Sequence, residues 1–274
     1  MSPLDRSLAI GPLGLSVGQL LLLLSIVVAL IVGGLIGRRR NVSVGDGIFN
    51  AVFFGVIGAR LIFIVQYGES YDTFWSWLDI RDRGFEPLAG LVVALVYLVW
   101  RLWRQPRERR PLGIAVISGA LTWSLTAGAL ALMVSQGASI PPTPLTTLEN
   151  DEVTLPTMLS EADRPMVVNL WASWCPPCRR EMPVFEQAQQ ERDDVTFVFV
   201  NQGENLSTVN AFLQQESLAL DNVYLDRNNA LGHEVGAMAM PTTLYYNADG
   251  TLIDTHFGEL SRATLNRSLE RFSP

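Results

Sequence analysis

Two cysteines, Cys175 and Cys178, are the only ones among 274 residues. They lie in the stretch Trp171-Ala172-Ser173-Trp174-Cys175-Pro176-Pro177-Cys178-Arg179-Arg180-Glu181. Two intervening residues put the second sulfur about one helical turn from the first, on the same side, where the pair can bond. A buried-strand pattern, Met166 to Leu170, leads into the stretch, and a helical pattern with Met182, Phe185 and Ala188 on one face leaves it. Cys175 therefore falls where a strand ends and a helix begins. Free backbone N–H groups and the positive end of the helix dipole favour a thiolate there. Cysteines so placed titrate at roughly 3.5–7.5 instead of about 8.5. The chemistry expected is thiol–disulfide exchange, with Cys175 the exposed attacker and Cys178 the shielded resolver. Pro176 and Pro177 hold the turn but remove two donors, which tempers the thiolate.

Two other uses of such a pair have less behind them. Half of a zinc site needs a second pair of ligands, and the only histidines, His233 and His256, are not at a common tetrahedral spacing. No metal or other cofactor is therefore expected. A purely structural bridge at this spacing closes too short a loop to stabilise much.

The elements that must position the pair follow in order. Val195 to Val200 is a near-continuous apolar run, as a central strand covered on both faces should be. Leu206 to Glu216 reads as a helix capped near Asn205 or Ser207, and Asn228 to Val235 as another, ended at Gly236. Thr242 to Tyr246 and Leu252 to Phe257 read as strands joined by Asn247-Ala248-Asp249-Gly250, a hairpin signal. Ser261 caps a last helix reaching Phe272. Val153 to Ser160 begins the fold, and Pro141-Pro142-Thr143-Pro144 makes residues 137–152 a semi-extended spacer.

Trp-Ala-Ser-Trp-Cys-Pro-Pro-Cys-Arg-Arg-Glu-Met-Pro resembles the active-site signature of the TlpA/ResA-like thioredoxin-fold disulfide reductases of bacterial envelopes. Met240-Pro241-Thr242-Thr243 resembles their cis-proline loop. The resemblance covers about residues 150–274 and implies an α/β thioredoxin-like domain, a central mixed sheet flanked by helices. It implies a cis Met240–Pro241 bond beside the disulfide, leaving the Met240 backbone open to an extended substrate strand. Trp174, Pro176, Met240 and Pro241 are then the substrate-binding residues, with Trp171 and Trp174 shaping the rim. Glu181, three residues beyond Cys178, matches a functional glutamate of those reductases and would accept or relay a proton as the resolving thiol ionises. Its plainer use is as a surface glutamate near a helix N-terminus. Asn169 stands where thioredoxins carry a buried acid. His233 reads as a helix-surface residue.

The first half of the chain is different in kind. All twenty basic residues are arginines, and 49% of the chain is apolar. Residues 1–140 carry twelve arginines against eight acids, and residues 141–274 carry eight against nineteen. So acidic a second half argues against nucleic-acid binding. Residues 16–37 can span a bilayer, and Arg38-Arg39-Arg40 follows the run instead of preceding it, unlike a signal peptide. Further spans are expected at about 48–67, 87–103 and 112–134, giving a four-span α-helical domain over 1–136 and a redox domain over 153–274. Both arginine-rich loops then face the cytoplasm. The redox domain lies on the periplasmic side of the inner membrane, where disulfides persist.

Arg60 lies inside the second span, where an arginine costs roughly 2.5–3.5 kcal/mol on insertion scales. It meets either an anion such as a lipid headgroup or an acid such as Asp46 or Glu69. Loop 68–86, with Phe74, Trp75, Trp77 and Leu78, reads as an interfacial anchor, or less readily as a docking surface. Phe54-Gly55-Val56-Ile57-Gly58-Ala59-Arg60-Leu61 resembles the N-terminal half of the prolipoprotein diacylglyceryl transferases over about residues 16–134. Arg60 alone matches one of their functional residues. Arg83 to Gly90 lacks the histidine of their next motif, and their later Gly-Arg and Asn-Phe signature has no counterpart. The resemblance implies a reduced membrane module serving as an anchor or docking platform.

The resulting expectation is a membrane-anchored protein disulfide reductase acting on envelope protein thiols and disulfides, recharged by a separate membrane or soluble electron donor. A disulfide-donating oxidase, a lipid-modifying transferase with a redox accessory, and a copper-delivery module remain alternatives.

Overall fold

The computed structural model describes residues 7–10, 13–71, 73–130, 138–237 and 239–272. The chain divides into two compact units, one of apolar helices and one built on a seven-stranded sheet.

A two-stranded antiparallel hairpin, β1 (Ser7–Ile10) and β2 (Leu13–Ser16), precedes the helices. The helices are α1 (Val17–Arg38), α2 (Gly45–Tyr67), the short α3 (Phe74–Leu78), α4 (Pro87–Arg104) and α5 (Arg109–Trp123). A π turn, Ser124–Gly128, extends α5. Four of them are long and apolar enough to cross a bilayer. The fourth expected span ran to 134, and its last residues lie outside those described.

Small residues set the packing of this unit. A Cβ on Gly55 would come 3.1 Å from the Gly90 carbonyl oxygen, and one on Gly90 would come 2.8 Å from that of Gly55. Helices α2 and α4 therefore touch backbone to backbone. Gly33 admits Ala115 in the same way between α1 and α5. Buried apolar residues are few (Ala29, Val44, Ile48, Leu112 and Ala115 form one cluster), while Leu30, Phe53, Val65, Val96 and Trp103 point outward. That inversion suits helices solvated by lipid.

The second unit has β3 (Pro144–Thr147), β4 (Glu152–Thr154), α6 (Leu155–Ala162), β5 (Met166–Trp171), α7 (Pro176–Glu191) and β6 (Thr196–Gln202). Then come α8 (Leu206–Gln215), β7 (Val223–Asp226), α9 (Ala230–Glu234), β8 (Thr242–Tyr246), β9 (Leu252–Phe257) and α10 (Arg262–Leu269). The strand order is β4-β3-β7-β6-β5-β8-β9. Strands β5, β6 and β7 run parallel, with β8 antiparallel to β5 and β3 antiparallel to β7. This is the thioredoxin-like mixed sheet.

Alternation along β5 divides the core. Val167 and Trp171 face a cluster with Met182, Phe185, Phe199 and Phe212, while Met166, Val168 and Leu170 face one with Leu145, Leu155, Leu231 and Leu244. Every residue of β5 and β6 is buried because helices cover both faces.

The spacer expected over 137–152 is corrected. β3 lies within it and pairs in the sheet with β4, which begins at its last residue, and with β7; Ile140 N–H donates to the Gly250 carbonyl at 2.8 Å, and Leu145 is buried. The proline run misled because a proline is compatible with the first residue of a strand, where Pro144 stands. Strand β7 was also not anticipated; four residues give too little periodicity to read. The caps at Asn205 and Ser261 and the turn at Asn247 to Gly250 form as expected.

Candidate active site

The site sits where β5 runs into α7, at the carboxyl ends of the parallel strands. Cys175 is the N-cap of α7, Pro176 occupies its first turn, and the Cys178 N–H donates to Cys175 Sγ at 3.3 Å. Proline is well tolerated there because that N–H has no intrahelical acceptor. Cys175 and Cys178 are joined as a disulfide, with Cα atoms 5.3 Å apart. The expected exposure of Cys175 is corrected: it is 3% exposed and Cys178 is 0% exposed. Both sulfurs belong to the core cluster under Trp171, Ala172 and Met182, with Met240 packed against it.

Trp174 is 65% exposed beside the pair, and Pro176 is also exposed. Trp171 does not join the rim. It is fully buried, with its ring 5.2 Å from that of Phe212, and among the described residues its Nε1 has no partner. Strand alternation explains this, since Trp171 continues the Val167–Asn169 face into the core.

The Met240–Pro241 peptide is cis. Pro241 is buried and Met240 half-buried. The Pro241 carbonyl accepts from Gly258 N–H at 2.9 Å.

Glu181 is not a surface residue. It is fully buried one turn beyond Cys178. Its Oε1 accepts from Asn169 Nδ2 at 2.8 Å, and its Oε2 accepts from the Leu260 N–H at 3.0 Å. Asn169 Nδ2 also donates to Thr243 Oγ1 at 3.1 Å. Burial pushes the Glu181 carboxyl up to about 8, against the opposing pull of the Leu260 N–H and the Asn169 amide. Near neutral pH it holds a proton that it can give or take back.

Two further contributors were not among the expected site residues. Glu204, just past β6, takes the Ser173 N–H at 2.7 Å, the Ser173 hydroxyl at 2.5 Å and the Asn201 amide at 2.7 Å. It fixes the loop leading into Cys175. The clue available was positional, since loops at the carboxyl ends of adjacent parallel strands meet. The second is the loop Gly258–Leu260, which reaches Glu181 from 79 residues away. His233 is exposed, as expected, and lines a cavity of about 150 Å³ with Leu170, Gln202, Asn229 and Met240. Among the described residues no group of three or more His, Cys, Asp or Glu side chains is placed to hold a metal.

In the helical unit, Arg60 is 8% exposed. Its Nε donates to the Trp77 carbonyl at 3.1 Å, Nη1 to Gly84 at 2.7 Å, and Nη2 to Trp77 at 3.0 Å and Asp79 at 2.6 Å. Phe63, Tyr71 and Phe85 put their rings 5.6–5.8 Å from its guanidinium carbon. The side chain ties down the loop after α2, a use the sequence reading did not include.

A thioredoxin-like sheet, a disulfide closing the first turn of the helix after its central strand, and a cis-proline loop against the same core define a thioredoxin-fold domain of the dithiol–disulfide type. Residues 135–269 match the Redoxin family model, so the C-terminal half carries a Redoxin domain. Residues 7–129 match the family model of prolipoprotein diacylglyceryl transferase. The chain is similar to Thioredoxin-like protein YneN of Bacillus subtilis, at 26% identity over 50% of this chain and 80% of that protein. It is similar to Thiol-disulfide oxidoreductase ResA of Halalkalibacterium halodurans, at 28% identity over 39% of this chain and 61% of that one. ResA of Bacillus anthracis is 24% identical over 59% of this chain and 93% of its own length.

Proposed function

We propose that this chain is a membrane-anchored thiol–disulfide oxidoreductase that reduces disulfides of extracytoplasmic proteins. The observation that carries the reading is the Cys175–Cys178 disulfide at the N-terminus of α7, with the buried Glu181 carboxyl one turn further on. Relatives named thiol-disulfide oxidoreductases support it. In the reducing direction the Cys175 thiolate attacks a substrate disulfide and expels one substrate thiolate, leaving a mixed disulfide. The Cys178 thiolate then attacks Cys175 Sγ, which releases the second substrate thiol and leaves the enzyme oxidised. In its ionised fraction Glu181 accepts the Cys178 proton as that thiol ionises, so it must first release the proton that burial holds on it near neutral pH. The exposed Trp174 and the Met240 backbone at the cis-proline loop hold the substrate strand.

The 274 residues hold no third cysteine, so a separate dithiol donor returns the two electrons. Arginine-rich segments at 38–40 and 101–110 support a topology with those loops in the cytoplasm and the redox domain outside. The helical unit acts as an anchor or docking platform. Lipid transfer has little support at Arg60, whose guanidinium already serves the Trp77, Asp79 and Gly84 carbonyl groups.

The test is covalent trapping in cells. Cys178→Ala accumulates mixed disulfides and Cys175→Ala does not; equal trapping by both overturns the assigned roles. Acid quench and alkylation of the wild type then give the direction. A mostly reduced pair supports the reductase, and a mostly oxidised pair favours disulfide donation.

A further inference from the structure

One short loop reaches Glu181 from above α7; it is held by an ion pair at the surface, by Gly258 N–H on the Pro241 carbonyl and, at the next residue, by the Ser261 hydroxyl on Asp82 Oδ2 at 2.8 Å. Gly258 adopts φ +97° and donates its N–H to the Pro241 carbonyl at 2.9 Å. Glu259 grips Arg180, the residue beside Glu181 on α7, with Arg180 Nε 3.0 and 2.9 Å from its two carboxylate oxygens. Leu260 is buried and turns its N–H onto Glu181 Oε2 at 3.0 Å. Three consecutive residues thus tie the cis-proline loop, the outside of the helix carrying the cysteines, and the carboxyl beneath it.

We propose that Gly258–Leu260 is a latch, closed by the Arg180–Glu259 pair, whose opening admits water to Glu181 and lets its proton exchange with solvent. The inference deepens the oxidoreductase reading and rests on it for the use of that proton. The physical argument is one of access. A fully buried carboxyl has no path for a proton unless a covering group moves. The Arg180 and Glu259 side chains are 43% and 16% exposed, so their pair is partly screened and weak enough to break thermally. Gly258 supplies a hinge that a side chain would strain. Leu260 is the piece that must lift, since its N–H is the donor on Oε2.

The charged or titratable groups acting on Glu181 are Arg180 on its own helix, Glu259 on the latch and the Tyr245 phenol on β8. Asn169 on β5 is its neutral partner. His256 Nε2 lies 3.4 Å from the Glu259 carbonyl oxygen and faces the latch rather than the carboxyl. Glu259 and Arg180 are positioning residues; neither touches the sulfurs.

The experiment uses the full-length oxidised protein in detergent. Amide hydrogen exchange at Leu260 is compared in the wild type, Arg180→Glu, Glu259→Arg and the double swap. Each single reversal speeds exchange by about five- to tenfold, the scale on which a half-exposed pair acts, and the swap restores the wild-type rate. Unchanged exchange in the single variants, or a swap as fast as they are, overturns the latch. A second readout is the infrared carboxyl band that disappears in Glu181→Gln. In Glu259→Gln its titration midpoint falls by about one pH unit toward an ordinary carboxyl. An unmoved midpoint overturns the proposal even if a reversal variant fails to fold. Neither readout needs turnover. An inert wild type with a working latch overturns the oxidoreductase reading alone, and an active wild type with indifferent variants overturns the latch alone.

Discussion

Asn169 and Glu181 meet inside the sheet-facing side of α7, with Asn169 Nδ2 donating to Glu181 Oε1 at 2.8 Å and both side chains fully buried. A neutral amide therefore stands beside the carboxyl that burial keeps protonated near neutral pH.

That pairing gives a pH dependence with a definite sign. The folded carboxyl titrates at about 8, well above its ordinary 4.5. Between those values the folded state keeps a proton that the unfolded state has released. Stability from this group is complete below about pH 4.5 and is lost as pH rises through about 8. The oxidised wild type should lose on the order of a few kcal/mol across that window. Glu181→Gln should be nearly flat. Thermal melts of the two proteins from pH 5 to 9 check this, and parallel curves would refute it.

Trp174 contributes exposed surface and almost no core. Trp174→Ala should change stability by no more than about 0.5 kcal/mol. Attack on a protein disulfide should slow severalfold, while reaction with a small dithiol should be nearly unaffected. Equal slowing with both would mean that Trp174 acts on the sulfurs instead of on the substrate.

Glu204 carries three hydrogen bonds that hold the Ser173 loop. Removing a charged acceptor leaves those donors to find water, at a cost of roughly 1.5–3 kcal/mol. Glu204→Ala should lower the melting temperature and speed amide exchange at Ser173. Unchanged exchange at Ser173 would show that the loop is held by other contacts.

Arg60 supplies a planar fork to the Trp77, Asp79 and Gly84 carbonyls, which a lysine cannot match. Arg60→Lys should leave the protein inserted in the membrane but open residues 73–86 to protease. Arg60→Ala should do so more strongly. Resistance equal to wild type in both would return Arg60 to the role of an anion or headgroup contact.

Much of the site was legible because it is local. The pairing of Cys175 with Cys178, the helix start at Pro176, the caps at Asn205 and Ser261 and the four apolar spans all depend on residues a few positions apart, where spacing and side-chain type carry the information. The cis peptide at Pro241 followed from a resemblance in four residues, not from spacing. Errors arose where burial decides. Cys175 was expected at the surface and lies under it, Trp171 was expected at the rim and lies in the core, and the proline-rich spacer contains a strand of the sheet. In each case the local pattern admits either outcome, and the neighbours that bury the residue come from distant strands.

By itself the sequence determined the strand–turn–helix that presents the two sulfurs, the length of the apolar helices and the split of charge between the halves. Each is set by near neighbours through periodicity, capping and hydrophobic length. Tertiary structure alone decided that Glu181 is sealed rather than solvated, that Leu260 supplies its second hydrogen bond and that Arg60 serves backbone carbonyls. Those contacts join residues far apart in the chain, and the energy of a buried carboxyl or guanidinium depends on which groups the fold brings within about 3 Å of it.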